Sequence, residues 1–253
     1  LFSNPLKDLK MNKTLLNDFT NTIQPLARRY DLSRLFDDLL TMVMCSYHQI
    51  NIQSQLHQQD EANEARYLQT IGRYAKDELS SFAKLAALIQ SNVLSAPYSD
   101  LLGEYFMQEI SRGHHGQYFT PTPICEMMAS MQIMDAEATG LRVADPACGS
   151  GRMLLCAAKL QPANFFYGAD LSQTCAKMAV LNFFFNGLRG EVSWMNSLSN
   201  KWFGGWQINM NGLGIVSLES KEQSEIVLRL LESKAIQSSK SESNQQSPAQ
   251  QLT

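Results

Sequence analysis

What these 253 residues lack removes whole classes of protein. No run of about 20 apolar residues occurs, the length that a membrane-spanning helix needs. The N-terminus has no charged-then-apolar secretory pattern, so a soluble, cytoplasmic protein is expected. The five cysteines, Cys45, Cys125, Cys148, Cys156 and Cys175, are odd in number and never spaced C-x-x-C. That argues against structural zinc and against a disulfide framework. An excess of positive charge is missing too. The formal net charge is −3, so the molecule as a whole has no attraction for nucleic acid. The small basic clusters Lys7, Lys10, Lys13 and Arg28-Arg29 read as solvated surface. His114 and His115 are adjacent with no matching carboxylate or thiol nearby in sequence, a poor ligand set, and no metal is expected.

Strand-like alternation is absent from the first half. Residues 11 to about 110 instead repeat apolar positions at spacings of three and four: Leu35, Phe36, Leu39, Leu40, Val43 and Tyr47, then Tyr67, Ile71 and Tyr74, then Leu79, Phe82, Leu85 and Ile89. Asp31 and Ser33 can cap the first of these helices. The polar, glutamine-rich stretch Gln53–Asn63 reads as a link between helices, with His48 and His57 at the surface. A helical domain over residues 1–110 follows, packed against whatever comes next.

From Thr120 the pattern changes to alternating helices and strands, the mark of a mostly parallel sheet. Thr122-Pro123 suits a helix start, and Ile124, Met127, Met128 and Met131 form an apolar face. Leu141, Val143 and Ala144 suit a buried central strand, Phe165–Asp170 a second, and Val192–Met195 a third ending at Asn196-Ser197. The helix carrying Met178, Leu181 and Phe185 stops at Asn186-Gly187. Gly214–Leu218 reads as a fourth strand, followed by a helix with Ile226, Val227, Leu230 and Leu231. The Ser/Gln-rich stretch 237–253 has almost nothing apolar to bury and is expected to be disordered.

The stretch Asp145-Pro146-Ala147-Cys148-Gly149-Ser150-Gly151 joins the first strand to a helix. Ligands of open α/β sheets sit at such carboxyl ends, and glycine allows close approach to main chain. A phosphate-binding loop needs Lys-Ser/Thr after its glycines, where Arg152-Met153 stand here, and the dinucleotide pattern needs a third glycine. A bare G-x-G could be no more than a strand-to-helix turn. The full string closely resembles the S-adenosylmethionine loop of N6-adenine DNA methyltransferases, above all the modification subunits of type I restriction systems. Two further strings resemble the same family in the same order: Gly116-Gln117-Tyr118-Phe119-Thr120-Pro121, which in the family covers the cofactor, and Asp100–Tyr105 upstream.

The resemblance implies a Rossmann-like, doubly wound α/β sheet over residues 111–236, binding S-adenosylmethionine through Gln117, Tyr118, Phe119, Thr120 and Pro121 and through the loop from Asp145 to Gly151. Asp145 would hold the ammonium end. Asp170, with Leu171, would meet the ribose, a role compatible with capping the helix near Ser172; Asn196, with Ser197, would meet the adenine amine, although asparagine at a strand end is also a common turn residue. The family's catalytic segment is Asn/Asp-Pro-Pro-aromatic after the fourth strand, and no two prolines are adjacent in these residues. In its expected place stands Asn200-Lys201-Trp202-Phe203-Gly204-Gly205-Trp206, whose rings suit closing the core better than stacking on a base. No catalytic residue is assigned. A sheet shortened to about four strands is expected. It would belong to an adenine-specific DNA methyltransferase that meets DNA through a local patch or through a specificity or other restriction-modification subunit, or else to a silent cofactor- or partner-binding module.

Overall fold

The computed structural model of the chain describes residues 5–49, 60–111, 118–133, 138–210 and 212–229. Gln117, His57, His114, His115, Leu230, Leu231, most of the glutamine-rich link and the tail from residue 237 lie outside them. Five helices come first: α1 (Pro5–Ala27), α2 (Leu32–Ser46), α3 (Glu61–Ile71), α4 (Leu79–Ser95) and α5 (Leu101–Tyr105), which continues as a π-helical turn, Phe106–Ser111. The expected apolar face of α2 is buried at Leu35, Phe36, Leu39, Leu40 and Val43, and Asp31 caps it by accepting from the Arg34 amide at 2.9 Å. Asn63, read as part of the link, instead donates its amide to Asp60, the cap of α3.

The second half alternates as α6 (Thr122–Gln132), β1 (Arg142–Asp145), α7 (Arg152–Leu160), β2 (Phe165–Asp170), α8 (Gln173–Phe185), β3 (Arg189–Asn196), β4 (Lys201–Ile208) and β5 (Ile215–Ser217). The strands lie side by side in chain order, with β1, β2 and β3 parallel and β4 and β5 antiparallel. Two expectations need correcting. The sheet has five strands, not about four, because Lys201–Ile208 is a full strand and Gly214–Leu218 supplies the fifth. It is also only half parallel, and its order never reverses, so the described strands are not doubly wound. β1 suits a central strand by its apolar residues, yet among the described residues no strand pairs with its outer edge, and Leu141 beside it is 49% exposed.

Hidden signals at β4 explain the first miss. Trp202, Phe203 and Trp206 favour a strand, but Gly204-Gly205 argue against one. At Gly205 a Cβ would meet Leu218 Cδ1 and Ser193 Oγ at 3.1 Å, so close packing favours the glycine. Helix α6 begins at Thr122 with Pro121 as its cap, one residue before the expected start.

One apolar core runs from Phe19 and Phe36 through Leu154, Phe166 and Phe183 to Ile215, so the helices and the sheet share an interior. Helix α8 is buried on nearly all sides, which is why its sequence shows almost no polar face. Against α2 it presents a buried lysine: Lys177 Nζ donates to Asp37 at 2.7 Å and to Thr41 at 2.9 Å. Alternation along β2 sends Phe166 toward Phe183 of α8 and Tyr167 to the other face, where its hydroxyl donates to Glu225. On that second face Glu191 is buried, and its carboxylate accepts from the hydroxyls of Ser193 and Ser224 and from the Glu225 amide, fixing the start of the helical segment 225–229. Burial raises the Glu191 pKa, and these bonds oppose the rise.

Candidate functional site

At the carboxyl tip of β1 the chain enters the glycine loop, and neighbouring strand tips hold its shape. Asp145 Oδ1 accepts from the Ala147 amide at 3.0 Å, closing a local turn. The Cys148 amide donates to the Ala169 carbonyl at 2.9 Å, which fastens the loop to β2. Then the Gly149 amide donates to Asp170 Oδ2 at 2.8 Å, while Oδ1 of the same carboxylate accepts from the Ser172 amide. From β3, the Ser197 hydroxyl donates to the Pro146 carbonyl at 2.6 Å. Three parallel strand ends therefore converge on one loop.

Gly149 and Gly151 have φ of +54° and +82°, a region open to glycine and strained for other residues. Space also dictates glycine at 149. A Cβ there would lie 2.8 Å from the ring of Phe119, which stacks on Phe106 with centroids 5.8 Å apart. Phe119 thus stands directly over the loop. Thr120 gives its carbonyl to Arg152 Nη1 at 3.4 Å and to the Cys125 thiol, Pro121 leads into α6, and Tyr118 is 73% exposed. Asp145 and Asp170 are half-buried, and burial raises both pKa values above the ordinary carboxylate range; Asp170 is pushed further by the charge of Asp145, against the pull of its amide bonds. Burial also raises the Cys148 thiol well above its ordinary value, so it is an inert wall of the loop.

Asn196 Oδ1 accepts from the amides of Leu198 and Ser199, both at 3.0 Å, making it the pivot of the turn into β4. Leu171 is 61% exposed, and its carbonyl accepts from the Trp194 indole at 3.0 Å. The rings of the β4 stretch divide. Trp206 is buried, Trp202 donates to Ser193, and Phe203 leans on Trp194 with centroids 5.1 Å apart. A cavity of about 360 Å³ lies beside them rather than over the loop, lined by His48, Arg66, Lys177, Trp194, Phe203 and Trp206 among others.

Asp100, Gly103, Arg152 and Asn182 also touch this loop or its supports, and the sequence reading gave them no role. The available signals were the string Asp100–Tyr105, which holds Asp100 and Gly103, and a polar Asn182 inside an apolar helix. Among the described residues no group of three His, Cys, Asp or Glu is placed to hold a metal ion, and no helix is long and apolar enough to cross a membrane.

No curated protein matches this chain. A solved structure, the type I restriction-modification system methyltransferase subunit from Streptococcus thermophilus, is similar at 14% identity with a TM-score of 0.39. That match covers 76% of this chain and 58% of the other, so this chain spans well under two thirds of that protein's length. The family model described as N-6 DNA Methylase matches residues 90–219, just over half of the chain and the stretch that contains the loop, Phe119, Asp170 and Asn196. The chain is a member of the N-6 DNA methylase family.

Proposed function

We propose that the chain binds S-adenosylmethionine across the tips of β1, β2 and β3, as the cofactor-holding part of an adenine-specific DNA methyltransferase of the type I restriction-modification kind. The observation that carries this reading is the seating of Gly149 between the Asp170 carboxylate and the Phe119 ring, because three separately read stretches meet there. The donor set suits the ligand. Two carboxylates whose charge burial disfavours gain from a cation, and a sulfonium nucleoside with an ammonium group is one. When bound, the cofactor supplies an electrophilic methyl group.

The chain's own residues then bind and orient. Asp170 keeps lone pairs beyond its two amide bonds, so it can accept from ribose hydroxyls while still holding Gly149. Asp145 faces the same loop as the partner for the ammonium group. Gly149, Ser150 and Gly151 present main chain, Phe119 with Tyr118, Thr120 and Pro121 covers the ligand, and Leu171, Asn196 and Ser197 frame the adenine end. Helices α1 to α5 brace this unit, the elements from α6 to β5 form it, and the setting is cytoplasmic.

Acceptor activation is a separate matter. The adenine amine is a weak nucleophile, and hydrogen-bond acceptors must localise its lone pair while a ring stacks on the flipped base. These residues hold no adjacent prolines, and the stretch after β3 is spent on strand β4. That observation favours a second reading, a cofactor-binding module that transfers no methyl group by itself. DNA then comes from a local patch or a partner such as a specificity subunit.

Calorimetry with S-adenosylmethionine, paired with a tritiated-methyl assay on unmethylated DNA with and without a specificity subunit, tests both readings. Binding with transfer supports the first and binding without transfer the second. No binding overturns both.

A further inference from the structure

We propose that Asp100, at the end of the helical region, is a positioning residue of the glycine loop that also neutralises the guanidinium behind it. This rests on the cofactor reading above. Asp100 is 7% exposed and accepts four hydrogen bonds. Oδ1 takes the Gly103 amide at 2.8 Å and Asn182 Nδ2 at 2.9 Å. Oδ2 takes the Ser150 hydroxyl at 2.5 Å and Arg152 Nε at 3.0 Å. Asn182 completes the ring by donating to the Ser150 carbonyl at 2.8 Å. One carboxylate thus gathers α5, the glycine loop, the start of α7 and the middle of α8.

Gly103 shows how tightly this arrangement is built. A Cβ there would sit 2.1 Å from Asp100 Oδ2 and 2.5 Å from Ser150 Oγ, so a bare backbone is what lets the carboxylate reach the loop. The bonds to Ser150 and Arg152 flank Gly151 and fix its left-handed turn from behind.

Charge gives Asp100 its second effect. Arg152 is 7% exposed and lies 5.9 Å from the centroid of Phe119, the ring that stands over Gly149. Its other carboxylate partner, Glu104 at 2.9 Å, is close enough for an ion pair but is not aligned as a hydrogen bond, and its side chain is 45% exposed. The buried half of the neutralisation therefore falls to Asp100. Without it Arg152 would keep only the half-exposed Glu104 carboxylate, and excess positive charge would stand behind a site that receives a cation.

Titrating the full-length chain with S-adenosylmethionine and with S-adenosylhomocysteine, the uncharged thioether, separates this role from simple scaffolding. An unbalanced charge within about 10 Å, at an effective dielectric near 20, changes affinity for a cation by about tenfold. Asp100→Asn is expected to weaken the sulfonium ligand by about that factor beyond any loss shared with the thioether. The double variant Asp100→Asn/Arg152→Gln removes both charges, guards against misfolding from a lone buried cation, and is expected to bring the ratio of the two affinities back to the wild-type value. Equal weakening of both ligands, or a ratio that the double variant fails to restore, overturns the proposal. Wild-type protein that binds neither ligand would instead fell the cofactor reading, and this inference with it.

Discussion

Replacing Gly149 with alanine tests whether the loop is shaped as described. The left-handed φ of +54° costs a residue with a side chain about 1–2 kcal/mol. The new methyl would also meet Phe119 at 2.8 Å and push it from Phe106, forfeiting about 0.5–1.5 kcal/mol of ring packing. Together the variant should lose about 2–3 kcal/mol of stability. Gly187 supplies the control, since its φ is +66° and nothing lies within 4 Å of a Cβ there. Gly187→Ala should show the backbone cost alone, and any unfolded-state entropy gain is common to both variants and cancels. Urea unfolding measures the two side by side, and calorimetry with S-adenosylmethionine should find at least about a tenfold loss of affinity for Gly149→Ala only. Equal destabilisation of the two variants would show that Phe119 does not press on the loop.

Other expectations rest on the same geometry. Asp170→Ala leaves the Gly149 and Ser172 amides without their acceptor and should weaken cofactor binding by about 1–3 kcal/mol, an unchanged dissociation constant removing it from the site. Burial lifts Asp145 and Asp170 above the ordinary aspartate value of 3.8, so the folded chain holds these protons more tightly than the unfolded chain. Their contribution to stability is therefore fullest below that value and is lost as pH rises through the lifted pKa values, while affinity for a cationic ligand should grow over the same window. Calorimetry across mildly acidic pH reads this directly, and a flat profile would contradict it. Gly190→Ala would place a methyl 1.7 Å from the Phe166 carbonyl between β2 and β3, and should cost more than about 4 kcal/mol in denaturant unfolding; tolerance of it would contradict the described register.

Local signals carried much of this fold. Residues Phe165–Asp170 read as a strand with the boundaries that β2 has, because an apolar run ends there in an acidic tip. The helical faces of α2 and α4 were equally plain, since burial on one side writes its period into the sequence. Strand β4 was obscured by Gly204-Gly205; the close neighbours that favour glycine at 205, Leu218 and Ser193, lie on either side of it in sequence, beyond the strand itself. Likewise Gln49 and Tyr47 bond to Ile215 across more than 160 positions, a contact no local pattern announces. At the candidate site, the position of the loop and of Asp170 at strand tips was legible. Asp100 stood in a string that resembles the family, but its role was hidden, because it comes from Ser150 and Asn182, 50 and 82 residues away.

The central claim meets its most direct test in a crystal structure of the chain grown with S-adenosylmethionine. The account predicts the ligand lying along the glycine loop, its ribose on Asp170 and its ammonium group near Asp145, with Phe119 against it. Ligand density confined to the cavity between Lys177 and Trp206, or to any place remote from Gly149, would contradict it.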